Sequence, residues 1–432
     1  MKIKYVVAQP LIGGMALGFE DVIGHPPAAI ITAGGTNDKH YINYMNVTKQ
    51  KNVPVIYMNG SYTEFVTPED EALYNEICKD VDVFVSVPAC AGLSMLNSCN
   101  SDCSTRRRGD PNNDQNQNQY QLNSLGFRMG AKVVVYENAP AIYTSAGEAT
   151  IDHLRGIADS FKYTTHVVKV DTLNHGIPQS RKRTFISFYR DTNPPKFNYE
   201  HVDYIPLAEY LAMIPADAPY KGVYTSSEPF DVFYEFVTDY HQTADFKVIR
   251  AKLGIKKDSV SSISLMYKTG IDIALDWFNK KFEETGKIKY SRGAKACEHI
   301  KAKDADNKGW WDASNILFNN GLYTNAIISK SLVSTLHPVE QRTLDAREIM
   351  WLMGMPHDFR FYDDNVKAGL QHVTQNVPVT TAKYPAKQIL AYLRNELDIL
   401  DSDYVKQSNE TQTLDFPKMK DTDGTYTGPK LF

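Results

Sequence analysis

The chain has 432 residues, of which 42% are hydrophobic and 23% charged, with a formal net charge of −4. That is an ordinary globular composition, with length enough for two domains. No run of about 18 apolar residues occurs, so a transmembrane helix is excluded on length. The segment Met1–Val7 lacks the apolar stretch and cleavage site of a secretory signal, and the chain is expected in the cytoplasm. Five cysteines (Cys78, Cys90, Cys99, Cys103, Cys297) are too few and too irregular for a disulfide framework. Cys99 and Cys103 have no further ligand nearby to complete a zinc site, so no metal is expected. The odd count leaves room for one cysteine with a chemical task.

In chain order, short β-branched runs come first: Lys4–Val7, Ala28–Thr32, Val53–Met58, Val81–Val87, Lys132–Tyr136, Thr165–Val170 and Thr184–Tyr189. Most are apolar throughout, as expected of strands covered on both faces. Strands separated by crossover segments predict an α/β fold with a Rossmann-like, doubly wound, mostly parallel sheet. Ligands of such sheets bind at the carboxyl ends of the strands. Between the fourth and fifth runs, Arg106-Arg107-Arg108 and an Asn/Gln-rich stretch to Gln121 have almost no apolar residues, and read as an exposed mobile loop. From about Asn193 the βα alternation is lost. His241–Trp310 carries roughly 15 Lys and Arg against 9 Asp and Glu, either a solvated lysine-rich surface or one that faces nucleic acid. Asp345 with Glu348 predicts a capping box opening a helix over Asp345–Met353, and a second helix is expected over Ala382–Glu396. Residues 401–432 read as a polar, loosely ordered tail.

Four local patterns can carry chemistry. Pro88-Ala89-Cys90-Ala91-Gly92-Leu93-Ser94 puts a cysteine on a turn just past a strand. Glu137-Asn138 closes the next strand, where partial burial would raise a carboxyl pKa enough for proton donation. Gln179-Ser180-Arg181-Lys182-Arg183 spaces two arginines so that they point the same way from an extended segment, able to grip an oxyanion or a phosphate. The fourth runs from His337-Pro338 through Arg342–Glu348 to Gln375-Asn376-Val377-Pro378. Singly, these read as a buried cysteine, a surface acid, a solvated basic run and a capped helix.

Together and in this order, they resemble the cytosine-C5 DNA methyltransferase family over Val6–Arg190 and Leu336–Leu390. Cys90 stands at the position of the family nucleophile, Glu137-Asn138 at its Glu-Asn motif, and Gln179, Arg181 and Arg183 at its Gln-x-Arg-x-Arg motif. The resemblance implies that Cys90 adds to C6 of a flipped cytosine, activating C5 as an enamine. It implies that Glu137 holds and protonates N3, Arg183 binds O2, Arg181 supports the site or a phosphate, and Asn138 fixes the turn. It also implies S-adenosylmethionine as cofactor and double-stranded DNA as partner of a monomeric, nucleoid-associated enzyme. Residues 1–192 and 336–400 would form the catalytic domain, and 193–335 a smaller target-recognition domain. Ser94, Arg106, Arg107 and Arg108 would meet DNA, as would Arg250 and Lys256, with Lys252 and Lys257 as further phosphate candidates.

The cofactor side departs from the family pattern. Gln9 stands for its phenylalanine and Leu11 for its first glycine, although Gly13 and Gly14 remain to allow close approach of a ligand. Thr36 and Ser61 occupy the places of expected acids. The cofactor-binding set is thus Leu11, Ile12, Gly13, Gly14, Thr36, Ser61, Pro88, Asn376 and Val377. Three alternatives follow: S-adenosylmethionine held by other residues, a modified donor or an RNA acceptor, and a DNA-binding protein without turnover.

Overall fold

The computed structural model describes residues 2–90, 93, 109–112, 114–224, 232–256, 259–305, 317–319, 322–329, 332, 335–340 and 342–409. Its strands, in chain order, are β1 (Tyr5–Ala8), β2 (Ala29–Thr32), β3 (Val55–Tyr57), β4 (Val83–Ser86), β5 (Val133–Asn138), β6 (Tyr163–Asp171), β7 (Gln179–Ser180), β8 (Lys182–Arg190), β9 (Ser259–Ser261), β10 (Leu317–Asn319), β11 (Thr324–Asn325) and β12 (Tyr404–Ser408). Eight of them form one sheet in the order β12-β6-β8-β5-β4-β1-β2-β3. All its pairs are parallel except those of β8, which runs antiparallel to both β5 and β6. Each of the seven apolar runs seen in the sequence lies on one of these strands.

The helices are α1 (Gly14–Ile23), α2 (Thr36–Asn43), α3 (Pro68–Ile77), α4 (Asp114–Met129), α5 (Glu148–Ser160), α6 (Leu207–Ala212), α7 (Val232–His241), α8 (Phe246–Lys252), α9 (Ser262–Thr285, broken at Gly270), α10 (Ile288–Ala305), α11 (Ala346–Leu352), α12 (Val366–Gln375) and α13 (Val379–Leu393). Because strand side chains alternate between faces, Tyr5 and Val7 join one hydrophobic cluster while Val6 and Ala8 join another. The first cluster packs α1, α11, α12 and α13 on one face; the second packs α4 and α5 on the other. This two-sided burial is why the strands are apolar throughout. A third cluster, from Tyr234 to Ile300, is built from α7 to α10 and has its own core around Phe236, Met266, Phe278 and Cys297. Phe197, Leu207, Leu211 and Ile327 lie within the expected 193–335 module, yet they pack in the first cluster. No helix among the described residues is long and apolar enough to cross a membrane.

Two expectations are corrected. The amide-rich stretch expected as a mobile loop is, from Asp114 onward, the helix α4, with Asn116, Gln119 and Asn123 fully buried. The side-chain NH2 groups of all three find partners. Asn116 Nδ2 donates to the carbonyl of Asp110 (2.7 Å), Gln119 Nε2 to Asn116 Oδ1 (3.0 Å), and Asn123 Nδ2 to the carbonyl of Gln119 (2.7 Å). A helix can bury polar residues when their donors are satisfied in this way; Gln119 Oε1 and Asn123 Oδ1 accept no hydrogen bond among the described residues. Part of the expected loose tail is likewise ordered, since Tyr404–Ser408 adds β12 alongside β6, from Tyr404↔Thr165 to Ser408↔Lys169.

Candidate active site

The chemistry-bearing motifs converge at the carboxyl ends of β4 and β5. Ser86 of β4 pairs with Tyr136 of β5, so Cys90, four residues beyond β4, emerges beside Glu137. Glu137 and Asn138 pair in turn with Phe185 and Thr184 of the antiparallel β8, which brings Arg183 across the strand end. There Arg183 Nε meets Glu137 Oε1 at 2.7 Å, and Arg183 Nη1 donates to the carbonyl of Lys182. Glu137 is buried, and burial pushes its carboxyl pKa up against the pull of Arg183 and Arg181. Cys90 is half-buried; burial and the charge of Glu137 push its thiol up, while Arg183 and Arg181 oppose the shift. A buried carboxyl, two guanidinia and a thiol thus share one electrostatic environment.

The other residues of these motifs serve mainly as framework. Arg181 is fully buried, and its guanidinium donates to three backbone carbonyls: Ile327 (2.8 Å), Thr374 (2.6 Å) and Asn376 (2.7 Å). Arg181 and Arg183 therefore do not grip a common group in this structure. Gln179, also fully buried, donates to the carbonyl of Leu352 (3.1 Å) and accepts from the amide of Ile327 (3.1 Å). Asn138 Oδ1 accepts from the amide of Ala139, and its Nδ2 is buried with no hydrogen-bond partner among the described residues. Arg342 makes a bidentate pair with Glu348 (2.7 Å each), and the capping box of Asp345 and Glu348 forms as expected.

Next to this cluster, a cleft of about 530 Å³ opens at the carboxyl ends of β1, β2 and β3. Leu11 and Thr36 line it. Ile12 is buried behind it. The glycines face the protein itself: a Cβ on Gly13 would lie 2.4 Å from the Tyr41 ring, and one on Gly14 2.2 Å from the carbonyl oxygen of Val377 and 3.0 Å from Asn376 Oδ1. Ser61 does not line the cleft, bonding instead to Asn59 Oδ1 and Thr63 Oγ1, and Pro88 is buried. The sequence reading missed Asn37, Asp38, Tyr62, Asn118 and His372, all of which line the cleft. Asn37, Asp38 and Tyr62 follow β2 and β3 and were within reach of the strand-end rule. Asn118 and His372 come from α4 and α12 with no local signal. The Asp38 carboxylate is engaged internally, accepting from the Leu11 amide (2.8 Å) and Thr32 Oγ1 (2.5 Å), and burial pushes its pKa up to about 6. Leu11 itself holds a left-handed φ of 53°, the conformation a glycine would adopt freely there.

Of the proposed DNA contacts, Ser94, Arg106, Arg107, Arg108 and Lys257 lie outside the described residues. Arg250 donates from Nε to the carbonyl of Ile255 (2.8 Å) and from Nη2 to that of Lys256 (3.0 Å), holding its own turn. Lys252 Nζ donates to the carbonyl of His241, and Lys256 is exposed.

A mostly parallel sheet with a strand-end cysteine, a buried carboxyl and an adjoining cleft defines a methyltransferase-type fold and site. The family model for C-5 cytosine-specific DNA methylase matches residues 11–391, and the chain belongs to that family. Among solved structures it is similar to a DNA modification methyltransferase encoded within a prophage of E. coli, with 16% identity, TM-score 0.54, and coverage of 91% of this chain and 100% of that one. It is also similar to the methyltransferase EhMeth of Entamoeba histolytica, with 11% identity, TM-score 0.52, and coverage of 91% and 99%. At these identities the likeness speaks to the fold. No curated protein matches the chain in sequence.

Proposed function

We propose that the protein transfers a methyl group from S-adenosylmethionine to C5 of a cytosine flipped out of double-stranded DNA, with Cys90 as nucleophile. The observation that carries this reading is the Glu137–Arg183 pair, 2.7 Å long, held at a strand end beside Cys90 within a family match over 11–391. Cys90 Sγ would bond to C6, and the displaced electron pair would make C5 nucleophilic. Glu137, whose burial favours the neutral acid, would give its proton to N3, and the remaining N–H groups of Arg183 would hold O2. Burial is the main cause that keeps the Cys90 thiol protonated; a protonated Glu137 removes the second, its negative charge, while Arg183 and Arg181 favour the thiolate. Loss of the C5 proton to water, departure of Sγ as thiolate and return of the N3 proton to Glu137 would restore the ring.

When bound, S-adenosylmethionine supplies an electrophilic methyl for C5. The cleft has the size of a cofactor pocket, and its polar lining is neutral apart from the internally engaged Asp38. Leu11, Thr36, Asn37, Tyr62 and His372 are the residues that would hold the donor. Residues 193–335 would read the DNA, with Lys256 on a phosphate and Arg250 shaping its turn; Ser94 would meet the DNA, and Arg106 to Arg108 its phosphates.

The test is nucleoside mass spectrometry on DNA from cells that express the protein in a background free of cytosine methylation. We expect 5-methylcytosine, together with a denaturation-resistant adduct on 5-fluorocytosine DNA that Cys90→Ser abolishes. A heavier substituted cytosine would assign a modified donor. Tight DNA binding with no modified base and no adduct would sink the enzymatic reading.

A further inference from the structure

The wall between the cleft and the nucleophile turn is a chain of hydrogen bonds. The Ala89 amide can only donate, and it does so to Asn118 Oδ1 at 2.8 Å. Asn118 must then turn its Nδ2 the other way, where it donates to Gln9 Oε1 at 3.2 Å. Gln9 Oε1 also accepts from the Tyr62 hydroxyl at 3.1 Å. Gln9, Tyr62 and Asn118 all line the cleft, whereas Ala89 precedes Cys90. Gln9 is held for this purpose in a left-handed backbone conformation, φ 46°, with its amide on the carbonyl of Ile31 at 2.9 Å. Gln9 Nε2 makes no hydrogen bond among the described residues and stays available to a molecule in the cleft.

We propose that Gln9 and Asn118 are positioning residues that fix the Ala89–Cys90 peptide and tie its placement to occupancy of the cleft. The proposal rests on the reading of Cys90 as nucleophile and of the cleft as the donor site. The free Nε2 and the Oε1 that holds Asn118 and Tyr62 belong to one planar amide, so a molecule that draws on Nε2 moves Oε1, and through Asn118 the turn that carries the thiol. The path has no break between β1, the loop after β3, α4 and the turn after β4. Gln9, at the position where the family carries phenylalanine, gives this chain a polar link that an aromatic ring could not make.

The experiment measures the rate at which iodoacetamide alkylates Cys90, mapped by peptide mass spectrometry, in the full chain with and without S-adenosylhomocysteine. Four proteins are compared: wild type, Gln9→Leu, Asn118→Leu and Gln9→Glu, the last of which keeps an acceptor for both donors. Circular dichroism checks that each is folded; should Asn118→Leu not fold, Gln9→Leu and Gln9→Glu carry the comparison. Without ligand, we expect alkylation about fivefold faster in the leucine variants than in wild type, with Gln9→Glu restored to within twofold. With ligand, we expect the wild-type rate to change about threefold, and that response to vanish in the leucine variants. Equal unliganded rates in wild type and a folded Gln9→Leu would overturn the proposal, whatever the ligand does. If calorimetry shows no binding to wild type while the unliganded rates differ as expected, the positioning link stands and the donor reading falls.

Discussion

Arg181 and Arg183 leave the chain two residues apart, yet their guanidinia reach different worlds. Arg183 meets Glu137 at the strand end, while Arg181 is fully buried against the carbonyls of Ile327, Thr374 and Asn376. Removing Arg181 strands three acceptors in the interior, each costing about 1–3 kcal/mol. We therefore expect Arg181→Leu to lower the free energy of unfolding by roughly 3–5 kcal/mol in urea titration, with Arg181→Lys recovering only part because an ammonium lacks the planar fork. A loss under about 1 kcal/mol would show that the carbonyls find other partners. The spacing of the two arginines was legible in the sequence. That one of them spends its hydrogen bonds on α12 and its flank was not, because those carbonyls belong to residues nearly two hundred positions away. Cys90 and Glu137 were legible because their strands announce themselves as apolar runs; the lining from Asn118 and His372 was not, because helices deliver it from elsewhere.

At the scale of elements, the apolar strands could be read directly, but two elements whose stability is not apolar could not. Helix α4 buries amides that bond to a neighbouring amide or to the backbone, and β12 is a half-buried edge strand, Tyr404–Ser408, with no hydrophobic run. The α1–α13 contact has the opposite character: it depends on missing side chains. A Cβ on Gly18 would lie 2.6 Å from the Ala382 Cβ and 2.8 Å from the Val379 carbonyl oxygen. Gly18→Ala should therefore force the helices apart and cost about 1–3 kcal/mol. Gly24→Ala makes a useful contrast, since its Cβ would meet nothing but its φ is 85°; its cost should be about 1–2 kcal/mol of backbone strain with no change in packing. Thermal unfolding separates the two if near-ultraviolet circular dichroism changes only for Gly18→Ala.

For the molecule as a whole, buried histidines set the response to acid. Burial lowers the pKa of His40, His166 and His175 from 6.5 to about 4. Their unfolded forms take up protons first as pH falls, so the stability they contribute is complete above about pH 6.5 and is lost towards pH 4. Asp38 runs the other way: raised to about 6, it contributes stability at low pH that is lost as pH rises through that value. Among the described residues, six lowered rings (His40, His166 and His175 with His241, His337 and His372) stand against three raised carboxyls (Glu20, Asp38 and Glu137), which should leave a melting temperature that falls as pH drops from 6.5 to 4. His175 offers a sharper check. Both of its ring nitrogens are buried without partners among the described residues, its ring stacks on Tyr384 at 5.1 Å, and His201 and Lys387 add to the lowering of its pKa. His175→Phe should keep the stack, raise stability at pH 7 by about 1 kcal/mol, and flatten the acid slope. A destabilised phenylalanine variant would show that the nitrogens do find partners in solution.

The seating of α1 on α13 has a consequence for how the molecule is made. Helix α1, Gly14–Ile23, finds its covering partner only once Val379–Leu393 has been synthesised. At ordinary elongation rates, the glycine face of α1 therefore waits on the order of tens of seconds on the ribosome. During that interval the turn that carries Cys90 already exists in sequence but not in place, and the β6 edge stays open until β12 arrives. Nascent chains stalled after residue 378 should accordingly be cut by protease within α1, and chains extended past 409 and clear of the exit tunnel should resist.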